Sequence, residues 1–430
     1  MQNLAVSGIC DPQLLQNTSL ESSGSAILAF LPARFRVFSI AIVFALALAF
    51  FINRGPYRAI RYSTTGDFAT VYGAARCWIR GINPYEREPL KQQLAESGAP
   101  ASVQRDQDVN PSVYLPSALV WMAPVAMLAW YPANALWCLL AIALWTLALL
   151  RILALLPLSV TAKWLIAAAA LVFSPTYVGI YDGNPGVAIT SLVILAVLDE
   201  SWLRSAILLG IALCFKPQIA FCGFCIFLLR RKWRALAIAA VLFGAFLLAG
   251  SLAHWNWWQT ERRNVALSFV PGGQSDPAPA SHVAWQFLNA QTLVSYFVRE
   301  RNAVNLVVWI LAALLGVLFL WRARGSRAQT AAFLAVLTLL LTYHRYYDAQ
   351  LLLLAIPFLV ELWQRRGRFV LAAVCFLVLA FPIQSVFARR LGPEALTPSL
   401  KQAFLLRNQP AAVLLLCFLF ALPLQRKQEL

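Results

Sequence analysis

The sequence GDFATVYGAARCWIRGINPYE, residues 66–86, is the first polar stretch after a long apolar segment. Apolar side chains recur in it at steps of three and four residues: Phe68, Val71, Tyr72, Ala75, Trp78 and Ile79. This spacing predicts a helix with one apolar face. Arg76 and Arg80 lie one turn apart on the same helix. Aromatic groups on one side and arginines on another are typical of a helix at a membrane interface, so we expect this helix to hold Asp67 at the boundary between membrane and water.

Two roles are open to Asp67. It follows Gly66 at the start of the predicted helix, where a carboxylate can cap the free backbone N–H groups. A carboxylate at the water boundary can also act as a general base. One residue can serve both purposes, and the local sequence does not decide between them.

The composition of the chain identifies its class. Hydrophobic residues make up 60% and charged residues 12%, against roughly 45–50% and about 25% in soluble proteins. We therefore predict an all-α, polytopic integral membrane protein. The formal net charge of +17 would suggest nucleic acid as a partner of a soluble protein, but in a membrane protein it reports which loops are cytoplasmic.

The basic residues predict the topology, because Lys and Arg gather in short cytoplasmic loops. We place residues 1–36 in the cytoplasm as a mostly disordered tail and residues 37–430 in a single transmembrane domain. A first span then leads to a first outer loop at 53–112, and a second outer loop covers 254–300. The clusters that should be cytoplasmic are Arg230-Arg231-Lys232 with Arg234, Arg322-Arg324-Arg327, Arg365-Arg366 with Arg368, and Arg426-Lys427.

These clusters agree with one another if residues 113–130, which contain Pro116 and Pro124, dip into the membrane without crossing it. About twelve crossings then remain, and both termini are cytoplasmic. If residues 113–130 do cross, the sidedness of every later segment is reversed unless a later pair of short runs fails to cross. Several apolar runs are shorter than the ~20 residues of a full crossing, so we expect tilted or broken helices.

Twelve crossings place the polar segments between the spans on the non-cytoplasmic face. These segments are Asp67 with its loop, Asp182-Gly-Asn184, Lys216-Pro-Gln218, the loop 254–300, and His344-Arg-Tyr-Tyr-Asp348. No Asp or Glu lies at the middle of a predicted span, whereas ion-coupled transporters usually keep ionisable groups near the midplane. A site built from loops at one face favours an enzyme that acts on a membrane-embedded substrate.

Each polar segment also has a purely structural interpretation. Asp182-Gly-Asn184 is a string of turn formers. Lys216, before Pro217, could extend its amine to the interface at a broken helix or bind a lipid phosphate. His344 and its tyrosines could be an interfacial anchor, although His, Arg, Tyr and Asp within five residues are denser than anchoring requires. The Pro- and Gly-rich loop 271–282 suits a lid or a linker.

The cysteines and histidines predict no further site. Five of the eight cysteines lie inside apolar runs, and Cys222-Gly-Phe-Cys225 fits membrane packing better than a redox motif. His254 and His282 lack a nearby ligand at the usual spacing. We therefore predict no metal site.

Ordered landmarks run through the chain: Asp67-Phe68, Tyr72, Ala74-Ala75, Gly81, Asn83-Pro84-Tyr85, Tyr114-Leu-Pro116, Gly183-Asn184, Lys216-Pro217-Gln218, and His344 with Tyr346-Tyr347. In this order they resemble glycosyltransferase family 87, polytopic enzymes of the GT-C superfamily that include polyprenol-phosphate-mannose-dependent mannosyltransferases. Three features depart from the family pattern. Gly183-Asn184 stands where Gly-Gln is more frequent, the Tyr114 element has one proline where two are common, and Asn289-Ala-Gln291-Thr292 is what remains of a loop usually rich in Asn, Gln and Ser.

The resemblance implies a GT-C-like fold in the plasma membrane, with the active site facing the non-cytoplasmic side and Asp67 as the catalytic base. Lys216, Arg345 and His344 would bind the lipid phosphate of the donor. The other implied substrate-binding residues are Tyr72, Asp182, Asn184, Gln218, Tyr346 and Tyr347. No cofactor is expected, because the lipid phosphate is already the leaving group. The implied partners are the donor lipid, a glycolipid or polysaccharide acceptor and the bilayer, and not nucleic acid.

The sequence and the resemblance together predict an inverting hexosyltransferase, for mannose or another hexose, that depends on a polyprenyl-phosphate-sugar donor. A transporter or flippase of a lipid-linked sugar is the alternative, and internal sequence symmetry would favour it. A membrane scaffold without catalysis is a third interpretation, in which Asp67 would be replaceable.

Overall fold

The computed structural model describes residues 33–62, 66–104, 111–252, 256–281, 283–322, 326–384 and 406–423. Over these residues the regular structure is helical, and extended pairing is confined to an isolated antiparallel bridge between Phe287 and Arg345. The all-α prediction is confirmed for this part of the chain. Most of the predicted N-terminal tail, His254 and His282 lie outside the described residues.

The first half of the described chain contains ten helices, one of which is formed by the opening polar stretch. Its helices are α1 (Ala33–Arg54), α2 (Pro56–Tyr62), α3 (Gly66–Ile79), α4 (Arg87–Glu96), α5 (Ala101–Gln104), α6 (Pro116–Ala126), α7 (Trp130–Leu155), α8 (Val160–Val172), α9 (Ser174–Tyr181) and α10 (Gly186–Leu198).

The second half continues with α11 (Trp202–Phe215), α12 (Pro217–Leu229), α13 (Trp233–Ser251), α14 (Trp257–Ser268), α15 (Gln291–Val294), α16 (Arg301–Arg322), α17 (Arg327–Leu341), α18 (Ile356–Leu362), α19 (Arg366–Ala380) and α20 (Asn408–Ala421). Two 3₁₀ helices complete it, at Ala284–Gln286 and Tyr346–Ala355.

Four helical segments in the described chain are long and apolar enough to cross a membrane, or five if the bent pair α8 and α9 is one span. The four are Val37–Tyr62, Trp130–Leu155, Trp233–Ser251 and Arg301–Trp321. The remaining apolar helices are shorter, including α6 with Pro124 inside it. This pattern agrees with a membrane protein that has many broken helices, while the count of twelve crossings stays a prediction.

The helix predicted from the opening stretch is confirmed as α3, Gly66–Ile79. Its buried surface is wider than the predicted apolar stripe, because α4 covers the face opposite the stripe. A Cβ atom on Gly73 would lie 3.1 Å from Leu90 and 3.3 Å from Leu94. Ile79, by contrast, is exposed at the end of the helix. Asp67 is therefore held by a helix that is packed on both sides.

The two predicted outer loops contact each other. Asn264 in α14 is buried, and its side-chain amide donates to the backbone oxygens of Tyr85 at 2.9 Å and Ser112 at 3.1 Å. The Trp78 indole of α3 donates to the oxygen of Gly250, at the end of α13. These contacts join the first outer loop to α14 in the second outer loop and attach α3 to the end of α13.

The centre of the bundle is α10, in which every residue from Gly186 to Val197 is buried. It packs against α7, α11, α12 and the 3₁₀ helix Tyr346–Ala355. Such a helix requires apolar side chains all round, which the sequence GVAITSLVILAVL provides. The N-terminus of α10, next to Asp182-Gly-Asn184, is the point at which the polar segments meet.

Candidate functional site

Three interruptions in the helices come together at the N-terminus of α10. One separates α9 from α10 at Asp182-Gly-Asn184, where Gly183 has a φ of 63° that favours glycine. The second separates α11 from α12 at Lys216, because Pro217 starts a new helix and leaves no N–H for the old one. The third lies between α17 and the 3₁₀ helix, at 342–345. Broken helices leave polar backbone and side chains facing one another inside an otherwise apolar bundle.

A chain of hydrogen bonds connects the side chains at these interruptions to Asp67. The Asn184 amide donates to Oδ2 of Asp67 at 2.7 Å, and the Lys216 ammonium donates to Oδ1 of Asn184 at 2.8 Å. Lys216 also pairs with Oδ1 of Asp348 at 3.3 Å, and Oδ2 of Asp348 lies 3.1 Å from Nδ1 of His344. We call these five residues the polar network.

The orientation of the Asn184 amide follows from its neighbours. Its Oδ1 accepts from Lys216 and also from the backbone N–H of Gly186, at 2.6 Å. Two donors on one side require the oxygen there, so the amide nitrogen must point towards the carboxylate of Asp67. Asn184 therefore fixes the position of the Asp67 carboxylate.

Lys216, Asp348 and His344 form the buried end of the polar network. Their exposed fractions are 7%, 3% and 0%. Because a carboxylate can only accept, Nδ1 of His344 carries the proton towards Asp348, and Nε2 shares a hydrogen bond of 3.1 Å with the Thr342 hydroxyl. Both ring nitrogens of His344 are thus occupied by the protein. A buried lysine requires a counterion, and Asp348 provides it.

Gly186 allows the polar network to close. A Cβ atom at this position would lie 2.6 Å from Oδ1 of Asn184, 2.6 Å from Oδ1 of Asp348 and 3.2 Å from Nζ of Lys216. The first two distances are shorter than any ordinary contact of a methyl group. Any residue with a side chain would therefore separate Asn184 from Lys216 and Asp348.

Asp182 and Arg345 lie around Asp67. The backbone N–H of Asp67 donates to the oxygen of Asp182 at 3.2 Å. Burial raises the pKa of the Asp182 carboxyl, and the negative charge of Asp67 raises that pKa further. Arg345 acts on both carboxyls, and its Nε donates to the Tyr343 hydroxyl at 2.6 Å. The Arg345 side chain is half-buried, and the negative charge of Asp67 acts on it.

Four predicted site residues remain to be placed: Tyr347, Tyr346, Tyr72 and Gln218. The Tyr347 ring lies 5.5 Å from Nζ of Lys216, close enough for a cation–π contact, and Tyr346 packs beside it. Tyr72 is fully buried, and its hydroxyl donates to the oxygen of Leu128. This bond attaches α3 to the segment between α6 and α7. Gln218 is half-buried in the first turn of α12, one residue after Pro217.

Asp348 is the network residue that the sequence analysis did not assign to the site. It ends the polar segment that begins at His344, and its spacing of four residues from that histidine was the available signal. Its partner Lys216 lies 132 residues away in the chain, so their pairing depends on the packing of both α12 and the 3₁₀ helix against α10. Over the described residues no three His, Cys, Asp or Glu side chains are grouped as metal ligands.

Comparison with known proteins gives a single result. The family model of glycosyltransferase family 87 matches residues 113–343, more than half of the 430-residue chain. The matched region contains Tyr114, Asp182, Asn184, Lys216 and Gln218. It begins after Asp67 and ends one residue before His344. No curated protein and no solved structure gives a significant match.

Proposed function

Because the chain belongs to glycosyltransferase family 87 and is therefore a glycosyltransferase, we propose that it transfers a hexosyl group, with mannosyl the first candidate, from a polyprenyl-phosphate-sugar donor to a lipid or polysaccharide acceptor. The reaction takes place on the non-cytoplasmic face of the plasma membrane. Residues 37–430 form one domain of the GT-C type, with about twelve crossings. The apolar helices of the structure suit a donor that is itself a membrane lipid.

The observation that carries this proposal is the hydrogen bond from Asn184 to Asp67. It holds a half-buried carboxylate at the edge of the polar network, at the start of α3. A fixed carboxylate that has not been neutralised by an ion pair is suited to accept a proton. In the polar network the other carboxylate, Asp348, is paired with Lys216 and His344 and is buried. Asp67 is therefore the better base of the two.

We propose that Asp67 removes the proton of the acceptor hydroxyl while the hydroxyl oxygen forms a bond to the anomeric carbon of the sugar. The bond between that carbon and the phosphate oxygen breaks, and the polyprenyl phosphate leaves with the electron pair. Attack opposite to the leaving phosphate inverts the configuration at the anomeric carbon. No redox step is involved, and the proton ends on Asp67.

Negative charge develops on the departing phosphate, and fixed cations next to it lower the barrier. Arg345 and Lys216 are the cations of the site. The charge of Lys216 is already matched by Asp348, whereas Arg345 is half-buried, is acted on by the charge of Asp67, and donates its Nε to the Tyr343 hydroxyl. We assign the larger share of phosphate binding to Arg345 and give Lys216 the task of holding Asn184.

The aromatic and amide groups around the network have supporting roles in this proposal. Tyr346 and Tyr347 border the sugar, and Asp182 and Gln218 contact substrate through their polar groups. Asn184 is buried and acts by holding the Asp67 carboxylate. His344 is fully enclosed, so it acts on the donor phosphate through Asp348 and Lys216 and not by direct contact. Tyr72 contributes by fixing α3, which carries Asp67.

The test is transfer of a labelled sugar from a synthetic polyprenyl-phosphate-sugar by the purified protein. Asp67→Asn keeps the size of the side chain and removes the base, so the rate should fall at least about 100-fold. Glu88→Gln is the matched control, because Glu88 is exposed on α4 of the same loop. Full activity of Asp67→Asn would exclude Asp67 as the base. Transfer from a nucleotide sugar in place of the lipid-linked donor would exclude the proposed donor class.

A further inference from the structure

A second candidate site lies outside the polar network, in a cleft between α19, the start of α20 and the segment that follows α15. The cleft has a volume of about 370 Å³. Its walls are largely apolar and include Phe297, Leu371, Val374 and Leu415. One cation, Arg407, also lines it. We call this region the Arg407 cleft, and none of the five polar-network residues lines it.

Arg407 is 1% exposed, and among the described residues its Nε and Nη1 have no hydrogen-bond partner. The guanidinium is hydrogen-bonded to the Tyr296 side chain, and its Nη2 donates to the backbone oxygen of Pro279 at 3.5 Å. Burial lowers the pKa of Arg407, as expected for a cation whose charge is poorly compensated. A buried guanidinium with unpartnered N–H groups destabilises the folded state unless an anion accepts its hydrogen bonds.

Asp276 acts on Arg407 electrostatically but is committed elsewhere. Its two carboxylate oxygens accept from the backbone N–H groups of Gly272, at 2.9 Å, and Ala278, at 3.0 Å. It therefore stabilises its own loop and leaves Nε and Nη1 of Arg407 for another acceptor.

A ligand for this cleft must combine an anionic group, for the guanidinium, with an apolar chain, for the walls. We propose that the Arg407 cleft binds an anionic phospholipid of the bilayer, with its phosphate on Arg407 and one acyl chain along Leu371, Val374 and Leu415. Phosphate oxygens are strong acceptors for a guanidinium, and Nε and Nη1 of Arg407 are donors for which they are suited. The polyprenyl donor is the less suitable occupant, since its phosphate must lie near Asp67 and no network residue lines the cleft.

One chain segment, residues 288–297, connects the cleft to the polar network. Its wall includes Tyr296 and Phe297, and the same segment is hydrogen-bonded to the end of α17. Leu288 N–H donates to the oxygen of His344 at 2.9 Å, and Ala290 N–H donates to the oxygen of Leu340 at 3.0 Å. A lipid in the cleft would thus stabilise the segment that is hydrogen-bonded to the backbone of His344. Through this segment it would stabilise the position of His344 in the polar network.

The experiment measures lipid retention by the full chain. Protein purified in mild detergent is exchanged into nanodiscs of phosphatidylglycerol mixed with phosphatidylcholine, re-extracted, and examined by native mass spectrometry and by the shift of unfolding temperature on adding phosphatidylglycerol. We expect one phosphatidylglycerol to be retained per chain. Arg407→Gln should weaken its binding about tenfold or more, because a charge-assisted hydrogen bond is lost.

Two further variants keep this test independent of folding defects. Val374→Trp fills the half-exposed wall of the cleft without removing the buried charge, and it should also displace the lipid. Arg366→Gln removes an exposed arginine from the start of α19 and should have no effect. Equal retention by wild type, Arg407→Gln and Val374→Trp would overturn the proposal. Preferential retention of polyprenyl phosphate would overturn it as well, by assigning the cleft to the donor.

Discussion

Asn184 donates its amide N–H to the Asp67 carboxylate at 2.7 Å across 117 residues of sequence. The same amide accepts from Lys216 on its other side. The position of the proposed base is therefore set by a neutral bridge between a carboxylate and a buried ion pair.

Asn184→Asp should slow sugar transfer and move the rate profile to higher pH. A second carboxylate beside Asp67 disfavours the ionised form of the base, because like charges at hydrogen-bond distance repel. The proton that relieves the repulsion would occupy the position at which Asp67 has to accept one. The pH dependence of transfer measures this effect. Asn302→Asp, at an exposed position in α16, should leave the profile unchanged, and an unchanged profile in Asn184→Asp would remove Asn184 from the proposed arrangement.

Lys216→Met and Asp348→Asn should each lower the unfolding temperature more than the double variant does. Each single change leaves a buried group without its partner, which costs about 3–5 kcal/mol for a buried ion pair. The double variant removes both charges together. Thermal unfolding in detergent gives the double-mutant cycle; because the double variant should lose less than either single variant, the expected coupling is at least about 3 kcal/mol. Additive effects would mean that the two residues do not stabilise each other.

Gly186→Ala should reduce transfer strongly, because its methyl group would lie 2.6 Å from oxygens of both Asn184 and Asp348. The network must open to admit it, and Asn184 then no longer positions Asp67. Gly244→Ala is the matched control: it also lies in a helix, α13, but has open space at the Cβ position. That control should be neutral or stabilising by about 0.5–1 kcal/mol. Equal activity in the two variants would contradict the role assigned to Gly186.

The raised pKa of the Asp182 carboxyl should make the stability of the folded protein depend on pH. Its pKa is raised in the folded protein by burial and by Asp67, so above the unfolded value of about 3.9 the folded state binds more protons than the unfolded state. In that window stability decreases as pH rises, up to the raised pKa. Asp182→Asn removes this contribution. The difference in unfolding temperature between the variant and wild type should therefore increase in favour of the variant from about pH 4 upwards. A difference that does not change with pH would show that the Asp182 carboxyl is not perturbed.

Much of the fold could be predicted from local sequence. The apolar spacing from Phe68 to Ile79 predicted α3, and it did so because three- and four-residue steps have a direct counterpart in helix geometry. The break at Lys216 followed from Pro217, which cannot continue a hydrogen-bonded helix. The burial of α3 by α4 was not predictable in this way, because nothing in Gly73 itself shows that Leu90 and Leu94 pack on it.

The candidate site also has features that local sequence predicts and features that depend on tertiary packing. Sequence alone determined that Asp67, Asn184, Lys216 and His344 are polar groups next to apolar runs, because turn formers, Pro and charged residues are visible as residue types. The tertiary structure decided that Asn184 bridges Asp67 and Lys216, and that Asp348 is the counterion of Lys216. The physical reason is that a buried charge needs a partner from whichever segment packs beside it, and the packing of α10, α12 and the 3₁₀ helix selects that segment. Residue types are encoded locally, whereas charge compensation inside a bundle is a property of the whole fold.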